Sequence, residues 1–305
     1  MPTLKEIKGR IASVQSTLKI TSAMKLVSSA KLRKAQTAIE AMRPYQERLN
    51  AMLDLAAGTV NILPQQNPGP GRAPAGAFNP RTTVVIAMAS NSSLCGGFNA
   101  QVIAKTKEVL RECPGARVIS IGRKMSDALR KSGAQSYTPE DFSTLSEHPS
   151  YAPVSAITDT LMADSSVDCV LLVYNHFVST GKQVPVVETL LSKEVSPRAS
   201  LGRNDKDVIS SGAGGGVEKS ASDAILEPSR QELLDALYPK NVKIRFFAAL
   251  LDSAAAEHAA RTVAMQAATD NGEDLLQELT LQYNKGRQQK ITNEILDLAG
   301  GSQTQ

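Results

Sequence analysis

The chain has 305 residues, 42% of them hydrophobic but only 4% aromatic, with no Trp and with Ala, Leu, Lys, Glu and Gln crowded at both ends; this suits long helices better than a thick globular interior. Net charge is +4, yet residues 1–50 carry ten Lys or Arg against Glu6, Glu40 and Glu47, an imbalance that fits an acidic partner, nucleic acid or a basic solvated face. No apolar run approaches the roughly 18 residues of a spanning helix, so any membrane association is expected to come through partners.

The first twenty residues are basic, Ser-containing and poor in acids, like an organelle transit peptide. The helical pattern nevertheless continues far past any cleavage site, and Thr3 with Glu6 forms a capping box that starts a helix. From Thr3 to about Ala57 the chain is expected to be helical, with apolar residues at Leu4, Ile7, Ile11, Val14 and Leu18 in steps of three and four, a heptad seam. After Leu18 the stripe is expected to stutter, shifting through Met24, Val27 and Ala30 and then Ala35, Ala38 and Met42. At 1.5 Å per residue such a helix runs to about 80 Å, longer than any globular core is wide.

The Pro- and Gly-rich stretch at 64–80 (PQQNPGPGRAPAGAFNP) excludes helix and central strand. TTVVIAMA from Thr82 then reads as a buried parallel strand, followed by a helix at about Phe98–Arg111, strand ARVISIG, a helix near Arg123–Lys131, a weak strand near Gln135 and a helix near Pro153–Ala163. VDCVLLVYNHF from Val167 and QVPVVETLL from Gln183 are joined by a turn at Ser179–Lys182, an antiparallel edge hairpin. This alternation predicts a small Rossmann-like α/β domain. Residues 196–228, with SGAGGGVEKSAS in the middle, read as a loop insertion. A short helix at Ser229–Leu237 and a long one at Pro239–Leu298 follow, the latter striped by Ile244, Phe247, Leu251, Ala255, Met265, Leu275, Leu279, Ile295 and Leu298. Small residues dominate the middle of both terminal segments (Ser28, Ser29, Ala30, Ala254, Ala255, Ala259, Ala260), which predicts antiparallel pairing at close approach. The expected division is a coiled-coil helix at 1–60, a linker at 61–81, an α/β domain at 82–227, a coiled-coil helix at 229–299 and a tail at 300–305, so the fold class is α/β plus a long coiled coil.

Enzyme signatures are missing: there is no GxxxxGK[ST], and the glycines at Gly212–Gly216 follow no strand and run into Val217. SLCGGFN, Ser93–Asn99, lies between strand and helix; Gly96 and Gly97 there permit either approach to a phosphate or a tight structural turn around Cys95. His148, His176 and His258 stand apart from any nucleophile or paired carboxylate, and Glu273 and Asp274 point to different helix sectors. Cys95, Cys113 and Cys169 lack metal or disulfide spacing and read as small buried hydrophobes. The basic first helix has no aromatic interleaving and no recognised nucleic-acid module.

Three strings in this order resemble one family: IASVQSTLKITSAMKLVSSAKLRKAQ (Ile11–Gln36), SLCGGFN (Ser93–Asn99), and HAARTVAMQAATDNG through LTLQYNKGRQQKIT (His258–Thr292). The family is the gamma subunits of F-type ATP synthases, and the resemblance spans both terminal helices and the central domain. It implies a rotating central stalk that couples proton-driven c-ring rotation to the beta-subunit catalytic sites. It implies no catalytic site or cofactor in this chain, and no nucleic acid. The implied partners are the alpha and beta subunits, an epsilon-type subunit and the c-ring, with the chain peripheral on the cytoplasmic face of a bacterial inner membrane, or a trimmed organelle form. By position, the family's beta contacts fall on Met24, Lys25, Lys31, Arg33, Arg261, Gln288, Thr292 and Glu294, and Ile291, Ile295 and Leu298 form an apolar tip turning in a sleeve of the ring. The sequence departs from the family pattern at Asn91 and Ser92, where a charged residue and Gly are usual, and at Gly286, where Ala is common and Gly costs about 1 kcal/mol of helix preference if exposed. The rival readings are a phosphate-binding α/β enzyme with helical arms and a basic coiled-coil adaptor.

Overall fold

The computed structural model describes residues 3–57, 82–133, 136–137, 145–192 and 229–301. The linker expected at 61–81 and the insertion at 196–228 lie outside them. In chain order the elements are helix α1 (Leu4–Ala57), strand β1 (Thr83–Met88), helix α2 (Phe98–Glu112), strand β2 (Arg117–Ile121), helix α3 (Arg123–Lys131), strand β3 (Ser136–Tyr137), helix α4 (Tyr151–Ala163), strands β4 (Cys169–Ser179) and β5 (Lys182–Ser192), and helix α5 (Arg230–Gly301). The chain divides into two compact units, Met1–Ala30 with Arg261–Gln305, and Lys31–Ala260.

In the second unit the sheet order is β3-β2-β1-β4-β5, parallel except for the β4–β5 edge pair. Alternation of side chains across the pleat builds two cores. Val84, Ile86, Met88, Val170 and Leu172 pack with Val154 and Ile157 of α4 and with Val242, Phe246 and Leu250 of α5. Val85, Ala87, Leu171 and Val173 pack on the other face with Val102 and Val109 of α2 and with Met125 and Leu129 of α3. At the β2–α3 corner Gly122 has φ +95°, and a Cβ there would lie 2.0 Å from the Ala89 carbonyl oxygen, so only glycine fits.

The sheet is fastened to α5 by polar contacts as well. Arg245, 4% exposed, donates from Nε (3.2 Å) and Nη2 (2.5 Å) to Glu188 Oε1, and from Nη2 to the Thr189 carbonyl at 3.0 Å. Tyr174 donates its hydroxyl to the other Glu188 oxygen at 3.1 Å, and burial together with that carboxylate pushes its pKa up. Near the hairpin tip His176 Nδ1 meets Asp252 Oδ2 at 2.5 Å, while the Phe177 N–H donates to Asp252 Oδ1 at 3.1 Å. The Asp252 carboxylate raises the His176 pKa above its ordinary value.

Two expectations about the helices are corrected. The C-terminal segment is one helix, not a short helix followed by a long one, because it runs straight through Pro239. Proline costs an interior helix about 3 kcal/mol, but Leu234 and Leu237 before it pack with Leu49, Leu53 and Ala56, and Asn241 after it donates to Asn50 Oδ1 at 2.6 Å. Packing on both sides holds the axis. The stutter expected in α1 is also absent. Burial continues in heptad steps through Thr21, Lys25, Ser28, Leu32, Ala35, Ile39, Met42, Gln46, Leu49, Leu53 and Ala56, all buried or half-buried, whereas Val27 is 58% exposed and Ala30 is exposed. Polar residues at Thr21, Lys25 and Ser28 occupy seam positions, and the long Lys25 stem is half-buried there.

Candidate partner-binding surface of the terminal helices

In the first unit, α1 up to Ala30 pairs with α5 from Arg261. The expected capping box forms in full: Thr3 N–H donates to Glu6 Oε2 at 2.9 Å and Glu6 N–H to Thr3 Oγ1 at 3.3 Å. The pairing is antiparallel, since Leu18 lies against Gly272, Leu4 against Gly286, and Thr269 donates to Thr21 Oγ1 at 3.1 Å. Between these layers Ile7 and Leu279 are buried, and Ile11, Val14, Leu276 and Tyr283 are half-buried. Leu276 therefore takes the seam place expected of Leu275, which is exposed.

The residues that the resemblance singled out fall into separate groups. Met24 and Lys25 are half-buried on α1, and the register sets them about one turn from Arg261, which is buried. Gln288, Thr292 and Glu294 lie about 40 Å further along α5, all exposed, with Thr292 Oγ1 donating to the Gln288 carbonyl at 2.9 Å and Glu294 3.7 Å from Lys290. Because Leu4 already sits at Gly286, α5 continues past the start of α1, and every side chain from Arg287 to Leu296 is exposed. Ile291 is 48% and Ile295 59% exposed, and Leu296 is exposed beside them; the side chain of Leu298 lies outside the described residues. In the second unit Lys31 and Arg33 are exposed on either side of buried Leu32, and Lys31 lines a cavity of about 270 Å³ with Lys34, His148, His258 and Leu251.

The Ser93–Asn99 loop is built on its own polar groups. Asn99 accepts the Ser90 N–H at 3.1 Å and donates from Nδ2 to Ser90 Oγ at 2.8 Å and to the buried Cys95 Sγ at 3.1 Å. Gly96 has φ +57° and Gly97 precedes α2 in the right-handed region. Asn91, one of the departures noted above, accepts the Arg123 N–H at 3.0 Å. Leu94 was missed by sequence reasoning: it holds φ +67° with its side chain 56% exposed, an apolar group presented on a strained backbone. Gly272 was missed as well, although its signal was present, because Leu4 and Leu18 are separated by the same two heptads as Gly286 and Gly272.

Among the described residues no helix is long and apolar enough to cross a membrane, and no cluster of His, Cys, Asp and Glu could hold a metal. Long terminal helices in antiparallel register and a mixed five-stranded α/β unit between them in sequence define a central-stalk type of fold. Solved structures agree: the chain is similar to one in the rotor of the Euglena gracilis mitochondrial ATP synthase (TM-score 0.65, 18% identity, 94% of this chain and 98% of that one). It is also similar to one in the central stalk and c-ring of the Tetrahymena thermophila enzyme (TM-score 0.56, 20% identity, 82% and 99%). A family model described as ATP synthase matches residues 3–304. Curated relatives named ATP synthase gamma chain include those of Phocaeicola vulgatus, 43% identical over 310 residues, Bacteroides thetaiotaomicron, 42% over 313, and Flavobacterium johnsoniae, 38% over 312, each match covering 99% of both chains. The chain belongs to the ATP synthase gamma-chain family. That membership favours neither a phosphate-binding enzyme nor a basic adaptor.

Proposed function

We propose that the chain is the central-stalk rotor subunit of an F-type ATP synthase, coupling proton-driven rotation of the c-ring to conformational change at the beta-subunit sites, or the reverse when ATP is hydrolysed. The observation that carries this reading is the bare end of α5. A helical end with every side chain from Arg287 to Leu296 exposed has no packing partner among the described residues of its own unit, and a segment this short is marginally stable as a lone helix in water. An apolar sleeve in the alpha–beta ring supplies the missing surface for Ile291, Ile295 and Leu298. Gln288, Thr292 and Glu294 meet beta just below that tip. Met24 and Lys25 make a second ring of contacts, which buried Arg261 holds in place, and exposed Lys31 and Arg33 face acidic groups of beta. The Cys95–Gly97 stretch is a structural turn that presents Leu94.

The stalk contributes no catalytic group. It biases three beta sites unequally because its two helices present different residues in each direction, and a coupling free energy requires such differential contact. The α/β unit binds the c-ring and an epsilon-type subunit, so the chain is peripheral on the cytoplasmic face of a bacterial inner membrane, held there through the complex.

All three native cysteines are buried, so Val178→Cys, at a position 53% exposed, supplies one accessible thiol for a bead. Assembled with alpha and beta subunits on a surface, the chain is expected to turn the bead in one direction when ATP is added. A bound bead that stays still in hydrolysing complexes refutes the rotor role.

A further inference from the structure

Glycines in a paired helix usually weaken it, yet two of those in the first unit sit under leucines. A Cβ at Gly272 would lie 2.7 Å from Leu18 Cδ2 and 3.2 Å from its Cγ, and one at Gly286 would lie 3.2 Å from Leu4 Cδ2. Gly9, on the same α1 as both leucines, has nothing within 4 Å. The leucines therefore fill the space the missing side chains leave, and the two pairs are two heptads apart on both helices. The layer midway between them is different in kind, with Ile11 and the buried Leu279 both large.

We propose that Leu18–Gly272 and Leu4–Gly286 are positioning residues that set the axial register of α1 against α5, and so fix which residues of the bare α5 end and of the Met24–Arg261 stretch a partner meets. The functional half of this statement rests on the rotor reading; the register itself does not. An ordinary heptad seam tolerates sliding by seven residues because the apolar pattern repeats. Here a slide of one heptad sets Leu18 against Met265 or Leu279, both buried side chains, and close-packed interiors have no room for a second one. A slide of two heptads toward the end of α5 would bring Leu18 to Gly286 and Leu4 to Gly300, so the glycine seats exclude the one-heptad slides and the Thr21 bond opposes the longer one. Every slide breaks the bond from Thr269 to Thr21. Each heptad of slip would move the α5 tip by about 10 Å relative to α1, enough to withdraw Ile291 or Ile295 from a sleeve that fits the native register.

The test is disulfide trapping in the isolated chain, followed by coupling in the assembled complex. Thr21→Cys with Thr269→Cys reports the native register, and Thr21→Cys with Thr262→Cys or with Leu276→Cys reports a slide of one heptad either way. Gly272→Leu is expected to lower the ratio of native to slipped cross-link about tenfold, and Gly272→Leu with Leu18→Ala, which moves the large side chain to the other helix, is expected to restore it. Gly9→Ala serves as the control without effect. In the complex, ATP made per proton falls with Gly272→Leu and returns in the double variant. A native cross-link unchanged by Gly272→Leu, or lost and not recovered in the double variant, overturns the proposal. Cross-links that shift as expected while coupling stays normal leave the register role standing and count against the rotor reading instead.

Discussion

Removing the Glu188 carboxylate isolates a buried cation, and the size of that penalty follows from the geometry. Arg245 is 4% exposed and its nearest acceptors are Glu188 Oε1, at 2.5 and 3.2 Å, and the Thr189 carbonyl at 3.0 Å. In Glu188→Leu the guanidinium keeps only the carbonyl, and the Tyr174 hydroxyl loses the acceptor it has at 3.1 Å. Breaking one partner of a buried pair costs about 3–5 kcal/mol, whereas replacing both by apolar groups is often nearly neutral. For a unit of this size each kcal/mol shifts the melting temperature by about 2–4 °C, so Glu188→Leu should melt about 10 °C lower. Glu188→Leu combined with Arg245→Met should recover most of that loss, and Tyr174→Phe added to it should remove the remaining orphaned hydroxyl. Calorimetry, with amide exchange followed along β5, measures the series. A double variant as unstable as Glu188→Leu alone would refute the reasoning, because the cost would then lie in lost packing rather than in an uncompensated charge.

The His176–Asp252 pair gives a pH dependence of definite sign. The folded-state pKa of His176 is raised above 6.5 by the carboxylate, so its contribution is fully present below pH 6.5 and is lost as pH rises through the folded value. The stability difference between the native chain and His176→Asn should shrink as pH rises above 6.5, and a difference independent of pH would contradict the ion pair. Gly286→Ala should stabilise by about 0.5–1 kcal/mol, because the gain in helix preference exceeds the cost of moving a Leu4 methyl 3.2 Å away; Gly272→Ala, with 2.7 and 3.2 Å contacts to Leu18, should not. Thermal melts that rank the two glycines the other way would count against the seats described above. Ile291→Asp with Ile295→Asp should leave the melting of the free chain unchanged within about 0.5 kcal/mol, as expected of exposed positions, yet lower rotation-coupled synthesis in the complex. Unimpaired synthesis would argue against a tip turning in an apolar sleeve.

Much of the fold was legible from apolar pattern. The continuous runs from Thr82 and Val167 mark strands buried on both faces, and the Leu4–Leu18 seam marks the start of α1. Legibility failed where polar groups occupy buried places. Thr21, Lys25 and Ser28 continue the heptad without looking apolar, so Val27 and Ala30 drew the stripe to the wrong face. Pro239 looked like a boundary because its local cost is visible in sequence while the packing of Leu234, Leu237 and Asn241 that outweighs it is not. Gly286 read as a departure that only costs helix preference, but the structure places it under Leu4. The candidate contact residues were legible through family resemblance alone: no periodicity distinguishes exposed Gln288 or Thr292 from other helix-surface residues, and buried Arg261 looks from sequence like one of them.

Rotation of this chain as a shaft is tested most directly in membrane vesicles that hold an ATP synthase lacking its gamma subunit. Adding the native chain and imposing a proton gradient should restore ATP synthesis, and a reversible cross-link from Met24→Cys to the ring should stop it until reduced. Synthesis that continues with the cross-link intact would contradict a shaft that works by turning.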